Sequence, residues 1–262
     1  MTRADAGTRP GTVAIMGATE LVWWVLRPVL RLRLAWFRHL VRGGTYPPAP
    51  TSAALQAAVE ARDDPTADRV AWLGSPAAAR FGVLHDDLTT LARVAALVEA
   101  HRGRPLVWIE AGASLRTVRD AAGDDTPALA DVDVTVVALG FSDVLLMTST
   151  AAWSRDLDRL LDRARRPGQV LSPVIVGGVP PMDRFTETAW MGRELIRAQA
   201  ARLDSATEEL VRRRGDCVFV RFPDLDAGAA QVRGRLWSWS RVHQLWAAAL
   251  APELARLLDE DA

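Results

Sequence analysis

Val70-Ala71-Trp72-Leu73-Gly74-Ser75-Pro76-Ala77-Ala78-Ala79-Arg80-Phe81-Gly82-Val83 opens the part of the chain whose pattern decides the fold. Arg69–Leu73 reads as a short apolar strand that stops at Gly74. Stretches of the same kind recur at Leu106–Ile109, Val134–Leu139, Val174–Val176 and Val218–Arg221. Helical spacing is found at Asp87–Ala100, Ala151–Arg165, Gly192–Arg213 and Val242–Leu258. Short apolar strands separated by helices of that length predict an α/β domain over residues 69–262, with a parallel sheet covered on both faces. Such sheets bind ligands at the carboxyl ends of their strands, so the residues just after each strand are where chemistry is expected.

Outward from that domain, 262 residues with 49% hydrophobic and 24% charged suit one α/β unit plus an appendage. A core of that size is stable without disulfides or metals. The formal charge is zero, so nothing global draws the chain toward nucleic acid. Cys217 is the lone cysteine, which excludes an intrachain disulfide. Its setting, Cys217-Val218-Phe219-Val220, predicts a buried structural thiol. His39, His85, His101 and His243 do not cluster at ligand spacing, and neither a metal nor another cofactor is expected. All 32 basic residues are Arg, and the chain has no Asn.

Upstream, residues 1–12 are small and polar and are expected to be disordered. Residues 13–42 read as a basic amphipathic helix. Glu20, Arg27, Arg31 and Arg33 cut its apolar runs short of the ~20 residues a membrane span needs. The segment lacks a small-residue cleavage site and carries more Arg behind its apolar part than ahead of it, a poor fit to a secretory signal. From Leu21 to Arg42, Arg27, Arg31, Arg38 and Arg42 share one narrow arc at ~100° per residue. Trp23, Trp24, Leu26, Leu30, Leu34, Trp36, Phe37 and Val41 cover much of the rest, and Pro28 suits only a helix start or a kink. Two arrangements stay open: an in-plane helix on an anionic membrane surface, or a helix packed on the domain or another subunit. The width of the apolar arc favours the membrane, with a cytoplasmic protein peripheral at the inner membrane. Residues 43–68, with Pro47, Pro48 and Pro50, read as a linker.

The strand ends carry a specific likeness. The stretch quoted above, Val70 to Val83, resembles the first block of SGNH (GDSL-type) hydrolases, where a strand ends in Gly-Asp-Ser and the Ser is the nucleophile. Glu110-Ala111-Gly112-Ala113-Ser114 resembles the second block, whose Gly lends a backbone N–H to the oxyanion hole. Leu139-Gly140-Phe141-Ser142-Asp143-Val144 resembles the Gly-x-Asn-Asp of the third, and Thr148-Ser149 and Trp153 continue it in the style of actinobacterial members. Gly178-Val179-Pro180-Pro181-Met182-Asp183-Arg184-Phe185, followed by Ala201-Arg202-Leu203-Asp204, is the most specific single feature. Leu245-Trp246-Ala247 resembles the end of the last block, Asp-Gly-x-His-Pro-Ser-x-x-Gly-Tyr-x-Leu-Trp-Ala. The resemblance covers roughly 69–258. It implies a three-layer α/β/α, flavodoxin-like fold with a five-stranded parallel sheet, and ester hydrolysis as the ancestral chemistry.

The departures from that pattern bear on function. In register with Gly74, Ser75 takes the Asp slot and Pro76 the nucleophile slot. Pro offers no hydroxyl and no backbone N–H. Counting back from Leu245-Trp246-Ala247, Trp237 takes the catalytic His slot and Gly234 the Asp slot. Trp has no basic nitrogen. Ser142 stands where Asn should donate to the oxyanion, leaving Gly112 as the one match. The expected protein is a non-hydrolytic SGNH relative, a binding or scaffold protein. The alternative is an esterase or lipase using relocated residues, with Ser75 as a shifted nucleophile, although neighbouring residues at a strand end point to opposite sides. Ser75, Arg80, Asp143, Trp237 and Trp239 are the candidate pocket, suited to a small acyl or glycan ligand, with Arg235 and Arg241 flanking the tryptophans. Trp237 equally suits filling of the vacated cavity. His85-Asp86-Asp87 reads as a polar loop with an Asp N-cap, and His243 as a packing residue.

Overall fold

The structure, a computed structural model, describes residues 64–74, 83, 85–111, 116–123, 132–164, 172–184, 192–224 and 239–260, with eight residues between 25 and 39. Along the domain run β1 (Asp68–Gly74), α1 (Thr90–Arg102), β2 (Leu106–Ala111), α2 (Val118–Gly123), β3 (Val134–Ala138), α3 (Phe141–Leu145), α4 (Thr150–Ala164), β4 (Val174–Gly177), α5 (Arg193–Arg214), β5 (Cys217–Val220) and α6 (Trp239–Glu260). The five strands pair in parallel in the order β2-β1-β3-β4-β5. The chain order therefore reverses between β1 and β3, the switch point at which open sheets of this kind leave a crevice.

Alternation along each strand sends side chains into two cores. On one face Leu73, Val137 and Val176 meet Leu157 and Leu160 of α4 and Leu203 and Leu210 of α5. On the other, Val70, Trp72, Val136 and Ile175 meet Val94 and Val98 of α1 and Leu250 and Leu254 of α6. The result is the three-layer α/β/α arrangement, with the five expected strands found within a residue or two of their predicted bounds.

Several expectations are corrected. Helix α1 begins at Thr90 rather than Asp87, because Thr89 is the N-cap: its hydroxyl accepts from the Ala92 N–H at 3.2 Å. Asp86–Leu88 form a 3-10 turn ahead of it, so neither Asp caps the helix. Helices α2 and α3 went unread, being too short to hold a periodic pattern. Cys217 is only partly buried, since it begins the edge strand β5. Asp68 belongs to β1 rather than to the linker. Its buried carboxylate accepts from Arg102 Nε at 2.6 Å, and Arg102 also pairs with Asp259. That cluster joins the start of β1 to the last turns of α1 and α6.

Within the 21–42 segment, Val25, Pro28, Val29, Arg31, Leu32, Ala35, Trp36 and His39 are described, and each is helical and exposed. The segment expected to be disordered and nearly all of the expected linker, to residue 63, lie outside the described residues.

Candidate functional site

The carboxyl edge of the sheet is assembled from glycines at points of close approach. Gly74 ends β1 beside Ala138 of β3. A Cβ there would lie 2.6 Å from the Ala138 carbonyl oxygen and 2.8 Å from Trp72 Nε1. The Trp72 indole is buried and meets Trp108 edge-on at 5.9 Å, and among the described residues its Nε1 has no hydrogen-bond partner. Trp108 Nε1, by contrast, donates to the Leu91 carbonyl at 3.0 Å. Gly140 follows β3 with φ of +116°, a conformation glycine tolerates, and its missing Cβ leaves room for Val179 Cγ2. The loops after β3 and β4 are thereby drawn together. At β4 the Gly177 site is filled by the Trp246 ring, which stacks on Phe222 at 4.7 Å, while the Gly178 backbone lies against that of Phe222.

Two buried carboxylates hold the loops behind this edge. Asp143, in α3, accepts from the Val118 N–H at 2.9 Å and from Thr148 Oγ1 at 3.0 Å. Burial pushes its pKa up to about 6, against the pull of those two donors. Asp204, in α5, accepts from the Val179 N–H at 2.9 Å, and burial likewise raises it to about 6. That bond accounts for the coupling of Gly178-Val179-Pro180 to Leu203-Asp204 noticed in the sequence. Asp183 is tied to the same helix by Arg197 at 2.7 Å. The Asp204 bond to Val179 escaped the sequence reading because residues 25 apart meet only in the fold. The Trp72 N–H, without a partner among the described residues, had no sequence signal at all.

The anticipated site residues divide sharply. Ser142 and Asp143 stand in the first turn of α3, directly after Gly140, and both are buried. Asp143 is spent on backbone and threonine donors, which makes it a brace rather than an open pocket carboxylate. Trp239 starts α6, partly buried against the core that contains Leu139, Val179 and Met182. Ser75, Pro76, Arg80, Gly112, Gly234 and Trp237 lie outside the described residues. His243 is buried between α6 and α1, where its Nδ1 shares a 2.7 Å hydrogen bond with Thr90 Oγ1. His85 is exposed ahead of α1. Among the described residues no three His, Cys, Asp or Glu gather as metal ligands.

No family model matches the chain, and no curated protein matches it in sequence. In structure it is similar to a carbohydrate acetylesterase from Sinorhizobium meliloti, with 13% identity over 72% of this chain and 99% of that one and a TM-score of 0.52. A lipase/acylhydrolase from Enterococcus faecalis aligns at 15% identity over 72% of this chain and 96% of its own, also with a TM-score of 0.52. A carbohydrate esterase of family 3 from Talaromyces cellulolyticus gives 15% identity, 74% and 99% coverage and the same TM-score. The chain has the SGNH-hydrolase fold. Within that SGNH frame the third-block residues fall where the resemblance placed them, after β3, and Leu245-Trp246-Ala247 lies in α6 with Trp246 locked against Gly177. The solved neighbours are carboxylic ester hydrolases by description.

Proposed function

We propose that this chain is a non-hydrolytic SGNH protein that keeps the esterase frame as a binding or scaffold surface. The observation that carries the proposal is the content of the triad slots, Pro76, Gly234 and Trp237. Each substitution removes a different function: the attacking hydroxyl, the group that orients the base, and the base. Pro76 also removes a backbone donor, and Ser142 offers a single hydroxyl where the family has an Asn amide. One oxyanion donor is worth about two to three orders of magnitude in rate. Loss of a triad member leaves only a residual ~10³–10⁴-fold over water. Changes at two blocks far apart in the chain thus point the same way. The bonding of His243 to Thr90 supports the reading further, because it engages the one buried imidazole described near the start of α6. Trp239 beside the strand ends, with Trp237, Arg80, Arg235 and Arg241, suits a small acyl or glycan ligand held by ring contact and positive charge.

The test is turnover of short-chain acyl esters by the purified full chain. No hydrolysis above a buffer control is expected. Turnover that survives repurification and disappears in Ser75→Ala would establish the rival reading, an active ester hydrolase with a displaced nucleophile.

A further inference from the structure

We propose that residues 21–42 form a docking surface for an anionic membrane, lying in the plane of the lipid and tethering the SGNH domain to it. The inference goes beyond the loss of catalysis and does not depend on it. All eight described residues of the segment are helical and exposed. Val25, Val29, Leu32 and Trp36 leave 63%, 51%, 73% and 64% of their surface open, and among the described residues Leu97 is the one other large hydrophobic so exposed. Their spacing puts them within about 60° of one another at ~100° per residue. They therefore make one continuous apolar stripe that the domain does not cover, the kind of patch that marks an interaction surface.

Charge names the occupant. The segment holds Arg27, Arg31, Arg33, Arg38 and Arg42, and no Asp or Glu occurs between Leu21 and Val59. A chain of zero formal charge has gathered cations on one short stretch. At ~100° per residue the sequence sets Arg27, Arg31, Arg38 and Arg42 on the arc opposite Val25, Val29, Leu32 and Trp36. A second copy packed stripe to stripe would cover the apolar side but leave the arginines on the two outer faces with no carboxylate of the segment to meet them. Lipid phosphates supply the missing anion, and Trp36, within the stripe, has the amphipathic ring that settles at the boundary of headgroup and acyl chain.

The experiment is co-sedimentation of the full chain with vesicles containing phosphatidylglycerol, and with phosphatidylcholine vesicles in parallel. Binding to the anionic vesicles is expected to weaken with salt yet persist, since the apolar contact is not screened. Replacing Arg27, Arg31, Arg38 and Arg42 by Gln should lower partitioning by about fivefold per arginine. Leu32→Glu with Trp36→Glu should abolish it. These side chains are exposed, and an unchanged circular dichroism spectrum would show that the domain is intact. Equal sedimentation of parent and both variants would overturn the proposal, and so would equal binding to neutral vesicles. A parent that ignores vesicles but falls from dimer to monomer in the Leu32→Glu, Trp36→Glu variant would assign the stripe to a second copy instead.

Discussion

A methyl group added at Gly74 would press on the Ala138 carbonyl at 2.6 Å and the Trp72 indole at 2.8 Å. The first is backbone of a central strand and cannot retreat, so Gly74→Ala is expected to lower stability by about 1–3 kcal/mol. A urea midpoint equal to the parent's would show that the close packing at the end of β1 is not held in solution. Asp143 makes a second prediction at this scale. Its folded-state pKa of about 6 stands above the ordinary 3.8, so the folded chain holds the proton more tightly than the unfolded chain. The stabilisation is complete below the unfolded value and is lost as pH rises through about 6. Asp204 behaves in the same way. Denaturation midpoints should therefore rise as pH is lowered from about 7 to about 5, and Asp143→Asn should flatten that rise. At still lower pH exposed carboxylates such as Glu209, held low by Arg212, protonate and reverse the trend.

Secondary-structure elements are joined at two levels. At the amino end of the sheet Arg102 and Asp68, each with 4% of its side chain exposed, connect α1 to β1, and Asp259 adds α6. Without Arg102 the buried Asp68 carboxylate keeps the longer contact to the more exposed Arg104 at 3.6 Å, so Arg102→Ala is expected to cost about 3 kcal/mol, the low end for a broken buried pair. Asp68→Asn in the same chain should recover part of that loss, which urea denaturation of the two variants would reveal. A loss within about 0.5 kcal/mol for Arg102→Ala would mean that the cluster is only a surface decoration. At the carboxyl end the ties are the Asp143 and Asp204 carboxylates, which fix the loops after β3 and β4 against α2 and α5. The Asp183–Arg197 pair adds a charged tie at the same end, between the segment after β4 and α5.

For the whole molecule, the described residues 25–39 add nothing to either core. A chain beginning at Pro50 should therefore unfold at the same temperature as the full chain. A clear drop in that temperature would place the N-terminal helix in the domain's packing and remove the basis for a free docking surface. If the proposed loss of catalysis holds, the same shortened chain should also fail to hydrolyse acyl esters, because the positions in register with the triad lie downstream of Pro50.

The sequence by itself determined the architecture. Five short apolar runs, each followed by glycine-containing loops and separated by helical spacing, admit only a parallel sheet covered on both faces, because an apolar strand must be buried on each side. It also determined the chemistry of the residue that the resemblance sets in the nucleophile's register, since a proline lacks a hydroxyl and an N–H wherever it is placed. Sequence spacing had no means of showing which polar groups satisfy one another across 25 or more residues. The tertiary structure alone decided that Asp143 braces Val118, that Asp204 reaches Val179, that His243 is engaged by Thr90, and that Thr89 rather than an Asp caps α1. It alone brought the Gly74, Gly140 and Gly177 backbones close to their neighbours. Periodicity records which face of an element is apolar, whereas buried polar groups choose partners by proximity, and proximity exists only once the sheet is assembled.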